Sequence, residues 1–172
     1  QLKQATGFTP IVLDAYARAA QNQSSPALVN LGFMHETGQG VPKDIVKAIS
    51  YYRQAAELGN PVALYNLGRS YYTGTNGLPL DWSAARKYLD HASGEGLVAA
   101  QHLLGQLNLD QNQASNAVVW FSRAAEHGFV PSMCSLASLY HYGRGAPVDL
   151  SRAIQWYRRA ADSDFVPAQY QL

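Results

Sequence analysis

Residues 26–60 are PALVNLGFMHETGQGVPKDIVKAISYYRQAAELGN, a stretch with two apolar patterns of helical period. In the first pattern, Ala27, Leu31 and Met34 occupy positions i, i+4 and i+7, which lie on one face of a helix. The glycines and the proline of residues 38–42 end that helix, because glycine accepts positive φ and proline cannot continue a helix. A second apolar stripe follows, so the stretch predicts two short helices joined by a loop.

This two-helix unit recurs along the chain. A leucine of the first helix returns with spacings of 36, 37, 32 and 36 residues, at Leu31, Leu67, Leu104, Leu136 and Leu172. A small residue of the second helix keeps the same register, at Ala48, Ala85, Ala117 and Ala153. The short step reflects the loss of the glycine-bearing loop from the third copy, whereas the second copy has one extra loop residue. Such recurrence is typical of a repeat protein.

We predict a single repeat domain over residues 1–172, because two short helices alone cannot bury enough apolar surface and neighbouring units must stack. Its predicted parts are the second helix of a partial repeat (11–25), repeats at 26–60 and 61–97, a degenerate repeat (98–130), a repeat at 131–166, and the start of a further repeat (167–172). We therefore expect either a fragment of a longer array or a short array with imperfect caps.

Composition excludes several classes of protein. Lys and Arg number 13 against 12 Asp and Glu, a net charge of +1, which argues against a nucleic-acid binder. The single cysteine, Cys134, excludes an internal disulfide and a cysteine-rich zinc site. No apolar run approaches the ~20 residues that cross a bilayer, so we predict no transmembrane segment.

The pattern A-x-x-x-L-G-x-x-Y-x-x-G-x-G-V-x-x-D-x-x-K-A-x-x-W/Y-Y-x-x-A-A-x-x-G resembles the Sel-1-like repeat, a variant of the tetratricopeptide-like helical hairpin. Residues 27–59 match it almost entirely, with His35 at the aromatic position, and residues 132–164 match well. The resemblance implies an all-α fold, a right-handed α-solenoid of stacked antiparallel helix pairs. It also favours a bacterial periplasm or envelope location, with the cytoplasm left open.

The chain offers no strong signal for catalysis, a cofactor or a metal. The Gly-x-Gly segments lack the lysine and hydroxyl residues that end a phosphate loop, and no two histidines have the i, i+4 spacing of a helical zinc site. A G-x-S-x-G elbow and an S-x-x-K pair are both missing from the sequence. We therefore predict no catalytic residue, no cofactor and no metal site.

The resemblance implies that the first helices line a concave surface, at positions two before, two after and five after the leucine. The partner-binding residues predicted in this way are Val29, Phe33, Glu36, Tyr65, Arg69, Tyr72, His102, Gln106, Leu109, Ser138 and His141. Cys134 shares this pattern, and Tyr170 would extend it. Tyr65, Arg69 and Tyr72 form the predicted hot spot, because rigid rings and arginine dominate recognition surfaces. The alternative is that some of these side chains pack against adjacent first helices.

The leading hypothesis is a non-enzymatic adaptor that binds a protein or peptide in the concave groove, as the resemblance implies. An immunity protein that neutralises a toxic enzyme is the alternative, and a cell-envelope hydrolase that uses Cys134 or a histidine is the second alternative. Self-association through exposed repeat ends is also predicted. The arginines Arg144, Arg152, Arg158 and Arg159 are either a solvated surface or a docking patch for an acidic partner.

Overall fold

The computed structural model describes residues 8–163, and within this range it contains nine α-helices and no strand. The helices are α1 (Phe8–Gln21), α2 (Ser25–Thr37), α3 (Ile45–Glu57), α4 (Pro61–Thr73), α5 (Trp82–Gly94), α6 (Val98–Asp110), α7 (Ala114–Glu126), α8 (Val130–Tyr142) and α9 (Leu150–Ala161). The predicted all-α class is confirmed. The predicted start of a further repeat at 167–172, with Tyr170 and Leu172, lies outside the described residues.

The chain forms two compact units, a first unit over residues 1–95 and a second unit over 96–172. In the first unit α2 pairs with α3 and α4 with α5, and α3 also packs against α4. In the second unit α6 pairs with α7 and α8 with α9, and α7 packs against α8. Packing of each helix on its neighbours in sequence is the pattern of a stacked helical repeat.

Local capping fixes where the helices of a pair begin and end. The Asp44 carboxylate accepts a hydrogen bond from the backbone N–H of Lys47 at 3.0 Å, which caps α3, and Asp81 and Asp149 cap α5 and α9 in the same way. The preceding helix α2 ends at Gly38, which takes the left-handed conformation with φ 77°. In the third repeat, which lacks the longer loop, Asn112 adopts φ 57° just after α6. The loops therefore follow from a few local residues.

Small residues on the first helices let the second helices approach closely. A Cβ atom built on Gly32 would lie 2.6 Å from the Tyr52 ring, and one on Gly105 would lie 2.5 Å from the Phe121 ring. Both rings are fully buried. In the first and third pairs the glycine and a buried aromatic ring therefore form one close contact, and in the second pair Gly68 lies against Leu89 instead.

Candidate interaction surface on the first helices

The predicted contact residues lie on the first helix of each repeat. Val29, Phe33 and Glu36 are on α2, Tyr65, Arg69 and Tyr72 on α4, His102, Gln106 and Leu109 on α6, and Cys134, Ser138 and His141 on α8. Their exposure differs widely: the Phe33 side chain is 46% exposed, whereas several of the others are half-buried. Each compact unit therefore presents its own part of the predicted surface.

Glu36 is the centre of a hydrogen-bond network in the first unit. Its Oε1 accepts hydrogen bonds from Arg69 Nη2 at 3.1 Å and from Asn76 Nδ2 at 3.0 Å. Its Oε2 accepts a hydrogen bond from the Tyr52 hydroxyl at 2.7 Å. The Glu36 side chain is only 16% exposed. The carboxylate thus joins α2 to α3, to α4 and to the loop after α4, and most of its hydrogen-bonding capacity is used within the chain.

The same network holds Tyr52 in its neutral form. Burial, together with the adjacent Glu36 carboxylate, raises the pKa of the Tyr52 phenol far above its ordinary value. The hydroxyl therefore stays protonated and donates to Glu36. The sequence gives no sign of this contact, because a tyrosine and a phenylalanine give the same signal at a buried helical position.

The Arg69 side chain remains partly exposed to solvent although it forms an ion pair with Glu36. Its side chain is 42% exposed, and its guanidinium lies 6.0 Å from the centre of the Tyr65 ring. That distance is at the outer limit of a cation–π contact. Two of the three predicted hot-spot residues are thus together on α4, with the arginine oriented by Glu36.

His102 is packed between helices of the second unit. Its ring lies 5.3 Å from the Phe121 ring and 5.2 Å from the Phe129 ring, measured between centroids. Its Nδ1 is 2.8 Å from the Ser132 hydroxyl oxygen, so the side chain joins α6 to α8. Burial lowers the pKa of His102 to about 4. The structure therefore gives this ring a packing role, as in the alternative that the sequence left open.

A cleft in the second unit brings other predicted residues together. It has a volume of about 410 Å³ and is lined by Leu109, Cys134, Ser135, Ser138, Leu139, Tyr142, Arg144 and Tyr157. We call it the second-unit cleft. Tyr142 at its edge is 65% exposed, and the His141 ring lies 4.6 Å from the Tyr142 ring. The sequence predicted Leu109, Cys134 and Ser138 here, but missed Tyr142 and Tyr157.

The chemistry of the second-unit cleft favours recognition. Burial raises the pKa of the Cys134 thiol, so the sulfur is held as a neutral thiol rather than as a nucleophilic thiolate. Burial also raises the pKa of the Tyr157 phenol, and nearby Cys134 and Tyr142 raise it further, whereas a hydrogen bond with Ser138 lowers it. Hydroxyls, one thiol, an exposed ring and Arg144 are groups that can hydrogen-bond to or pack against another molecule.

Residues 8–163 contain neither a cluster of metal ligands nor a membrane-spanning helix. This range contains no group of three or more His, Cys, Asp or Glu side chains placed to hold a metal ion. None of its helices combines the length and the apolar character needed to cross a membrane.

Helix pairs that pack on their neighbours define a helical-repeat protein. The family model of the Sel1 repeat matches residues 25–60, 61–96, 98–129 and 130–165, and the chain belongs to the Sel1 repeat family. Proteins of this family generally act as protein-interaction scaffolds, and the match indicates no catalytic class.

The chain is similar to three known proteins that differ widely in name. A Sel1 repeat protein from Oxalobacter formigenes is 32% identical with a TM-score of 0.87, over 93% of this chain and 66% of that one. An immunity protein from Pseudomonas aeruginosa is 25% identical with a TM-score of 0.60, over 86% and 56%. Chitin synthase regulatory factor 4 of Schizosaccharomyces pombe is 30% identical over 74% of this chain, which spans 20% of that protein's length. The predicted α-solenoid class of stacked helix pairs is confirmed by the structural similarity.

Proposed function

We propose that this chain is a non-enzymatic adaptor that binds a protein or peptide partner on its first helices, with the second-unit cleft as the principal contact. The observation that carries the proposal is the cleft of about 410 Å³ with the exposed ring of Tyr142 and the exposed Arg144 at its lining. Tyrosine and arginine are the residue types that dominate binding energy at interfaces.

The lining supports capture of a side chain from an extended segment. Leu109 offers partly exposed apolar surface, whereas the oxygens of Ser135 and Ser138 can accept hydrogen bonds from a peptide backbone. Apolar surface combined with a few placed polar groups is typical of specific binding sites. In the first unit, Tyr65, Arg69 and the exposed ring of Phe33 supply a further set of contacts on α2 and α4.

An immunity function is the second candidate, and one observation favours it. The similarity to the Pseudomonas aeruginosa immunity protein extends over 86% of this chain. An immunity protein is expected to form a tight one-to-one complex with an enzyme and to abolish its activity on mixing, whereas an adaptor leaves the partner's activity intact. The raised pKa of the Cys134 thiol gives no support to the hydrolase hypothesis.

The proposal is tested by affinity capture of a partner from a lysate of the source organism. Replacing both cleft residues, Tyr142→Ala with Arg144→Ala, is expected to reduce the affinity about 30-fold, the equivalent of a ~2 kcal/mol hot spot. The matched control is Val119→Ala with Arg123→Ala, an exposed apolar residue and an exposed arginine on α7 outside the cleft lining. The control is expected to retain capture.

The readout is the dissociation constant of the captured protein, measured after its identification. Both double variants alter exposed side chains, so their far-ultraviolet circular dichroism should match that of the unaltered chain. Equal affinity of the cleft variant and the control variant for that partner would reject the second-unit cleft as the binding site.

A further inference from the structure

A second cleft lies in the first unit, along α3 and away from the predicted contact residues. It has a volume of about 740 Å³ and runs between α3 and the loop that joins α4 to α5. We call it the α3 cleft. None of the residues that line it is among those predicted from the first-helix pattern, and the adaptor proposal makes no use of it.

The loop that borders the α3 cleft is one residue longer than the loop of the first repeat. The leucine-to-alanine spacing is 18 residues from Leu67 to Ala85, against 17 from Leu31 to Ala48. Asn76 in this loop takes the left-handed conformation with φ 57°. Its side-chain amide donates to Glu36 at 3.0 Å and to Ser70 at 3.1 Å. The longer loop is therefore held by specific contacts.

The equivalent loop of the last repeat leaves no such space. Gly145 and Gly77 both lie four residues before the capping aspartate of their repeats. A Cβ on Gly145 would collide with the backbone of Ala114, so that loop rests directly on α7. A Cβ on Gly77 would meet nothing within 4 Å. The α3 cleft is thus a property of the second-repeat loop and does not recur at the last repeat.

The floor of the α3 cleft is apolar. Leu78 is 9% exposed and packs in the core cluster with Ala48, Ile49 and Tyr52. Val46 lines the same cleft and is 81% exposed, the highest exposure among the large hydrophobic residues whose side chains are described. A large apolar side chain from a partner would cover Val46 and remove that surface from water.

The walls of the cleft carry cations without a partner. Lys43 and Arg53 both line it and are both exposed, and neither forms an ion pair with any residue in the described range. Glu57 is the one acid among the described lining residues, so the lining carries a net charge of +1 from Lys43, Arg53 and Glu57. A carboxylate of a ligand would therefore find unengaged positive charge at both Lys43 and Arg53.

Spacing along the helix defines the complementary ligand. The eight steps from Ile45 to Arg53 within α3 span about 12 Å at ~1.5 Å per residue, and Lys43 lies two residues before the helix in non-helical chain, which adds up to ~6 Å. An extended peptide covers that distance in about five residues at ~3.3 Å each. We propose that the α3 cleft binds an extended acidic segment of a protein partner, with a large apolar side chain over Val46 and acidic residues about five positions apart toward Lys43 and Arg53.

The test uses the full chain and measures the fluorescence anisotropy of a labelled six-residue peptide. The peptide has glutamate at positions 1 and 6, leucine at position 3 and alanine elsewhere. Binding is expected to weaken at least ~10-fold in the Arg53→Glu and Val46→Glu variants, and to weaken with added salt because the contacts with the peptide carboxylates are exposed. The matched control is Arg123→Glu, since Arg123 is an exposed arginine on α7 that does not line the α3 cleft. The control is expected to change the affinity less than ~2-fold.

A second peptide with glutamine in place of both glutamates separates charge from shape, and it is expected to bind at least ~5-fold more weakly. The proposal is overturned if the acidic peptide does not bind, if both peptides bind equally, or if Arg53→Glu and Arg123→Glu have equal effects. Sedimentation of the chain alone provides a further check. Self-association that Val46→Glu abolishes would assign the cleft to a second copy and would also overturn the proposal.

Discussion

At the scale of single residues, position on a helix does not decide whether a side chain faces a partner or the chain itself. His102 and Tyr65 occupy the same place in their repeats, two residues before the leucine. Tyr65 lies beside the partly exposed Arg69, whereas the His102 ring is enclosed by Phe121 and Phe129. The neighbours that the second helix and the next repeat supply therefore determine the role of the position.

The enclosure of His102 predicts a pH-dependent stability. The unfolded chain takes up a proton at this histidine near pH 6.5, whereas the folded chain does so only at about 4. The folded state thus binds fewer protons in this interval, so the free energy of unfolding is fully retained above pH 6.5 and falls as the pH decreases toward 4. We expect a loss of about 2 kcal/mol, allowing for solvent screening of a half-buried ring.

Urea unfolding at pH 7 and pH 4.5 measures this loss. His102→Gln removes the titrating group, so the variant should lose less stability than the unaltered chain over the same interval. His127→Gln, at an exposed histidine of the same unit, should retain the full pH dependence. A pH dependence that His102→Gln leaves unchanged would contradict the prediction.

The repeat pattern of the sequence shows where the helices begin and end, but not which side chains of different repeats contact each other. The helices and their ends were predictable because Asp44 and Gly38 act on backbone within a few residues of themselves. The Glu36–Arg69 ion pair spans 33 residues and depends on the stacking of two repeats and on side-chain rotamers. Neither the stacking of the repeats nor the choice of rotamer leaves a signal in the sequence of a single repeat. The sequence therefore predicted Glu36 and Arg69 as partner contacts and missed their contact with each other.

At the scale of elements, the contact between a first-helix glycine and a second-helix ring sets how closely the pair packs. Gly105→Ala would place a methyl group 2.5 Å from the Phe121 ring. Alanine favours a helix by ~1 kcal/mol over glycine, but forcing a methyl group into a filled contact costs about 1–3 kcal/mol. We expect a net destabilisation of about 1 kcal/mol or more.

Gly94 provides the matched control for this substitution. It lies in α5, and a Cβ built on it would meet nothing within 4 Å. Because Gly94 is the last residue of α5, Gly94→Ala should therefore leave the stability unchanged or raise it by up to about 0.5 kcal/mol through helix propensity alone. The midpoints of urea unfolding compare the two variants, and a stabilising Gly105→Ala would show that this contact does not limit the approach of α6 and α7.

Loops are the elements where the sequence was least informative. In the sequence, the extra residue of the second repeat is only a variation in loop length, and it does not indicate which residues the loop contacts. In the structure it accompanies both the Asn76 contacts to Glu36 and the α3 cleft. An insertion changes which surface a loop covers, and only the packing of that loop on α3 shows the result.

At the scale of the whole molecule, each unit is stabilised by contacts between neighbours in sequence. For such arrays the stability of a helix is approximately its own contribution plus that of the interfaces it shares. α1 packs chiefly against α2, and Ile11 on α1 is 71% exposed. α2 has α3 as a second neighbour and contributes Leu28 and Leu31 to the buried core. The two helices therefore differ in how much contact must be lost before they open.

This difference predicts a gradient of hydrogen exchange within the first unit. Amides of α1 should exchange at least ~10-fold faster than amides of α2 and α4, because α1 can open by losing one interface while α2 and α4 remain packed. Hydrogen-exchange mass spectrometry of the full chain measures this directly from peptides within Phe8–Gln21, Ser25–Thr37 and Pro61–Thr73. Equal protection of α1 and α2 would mean that the first unit opens as one cooperative block, in which case the stability of each helix could not be assigned to its own interfaces.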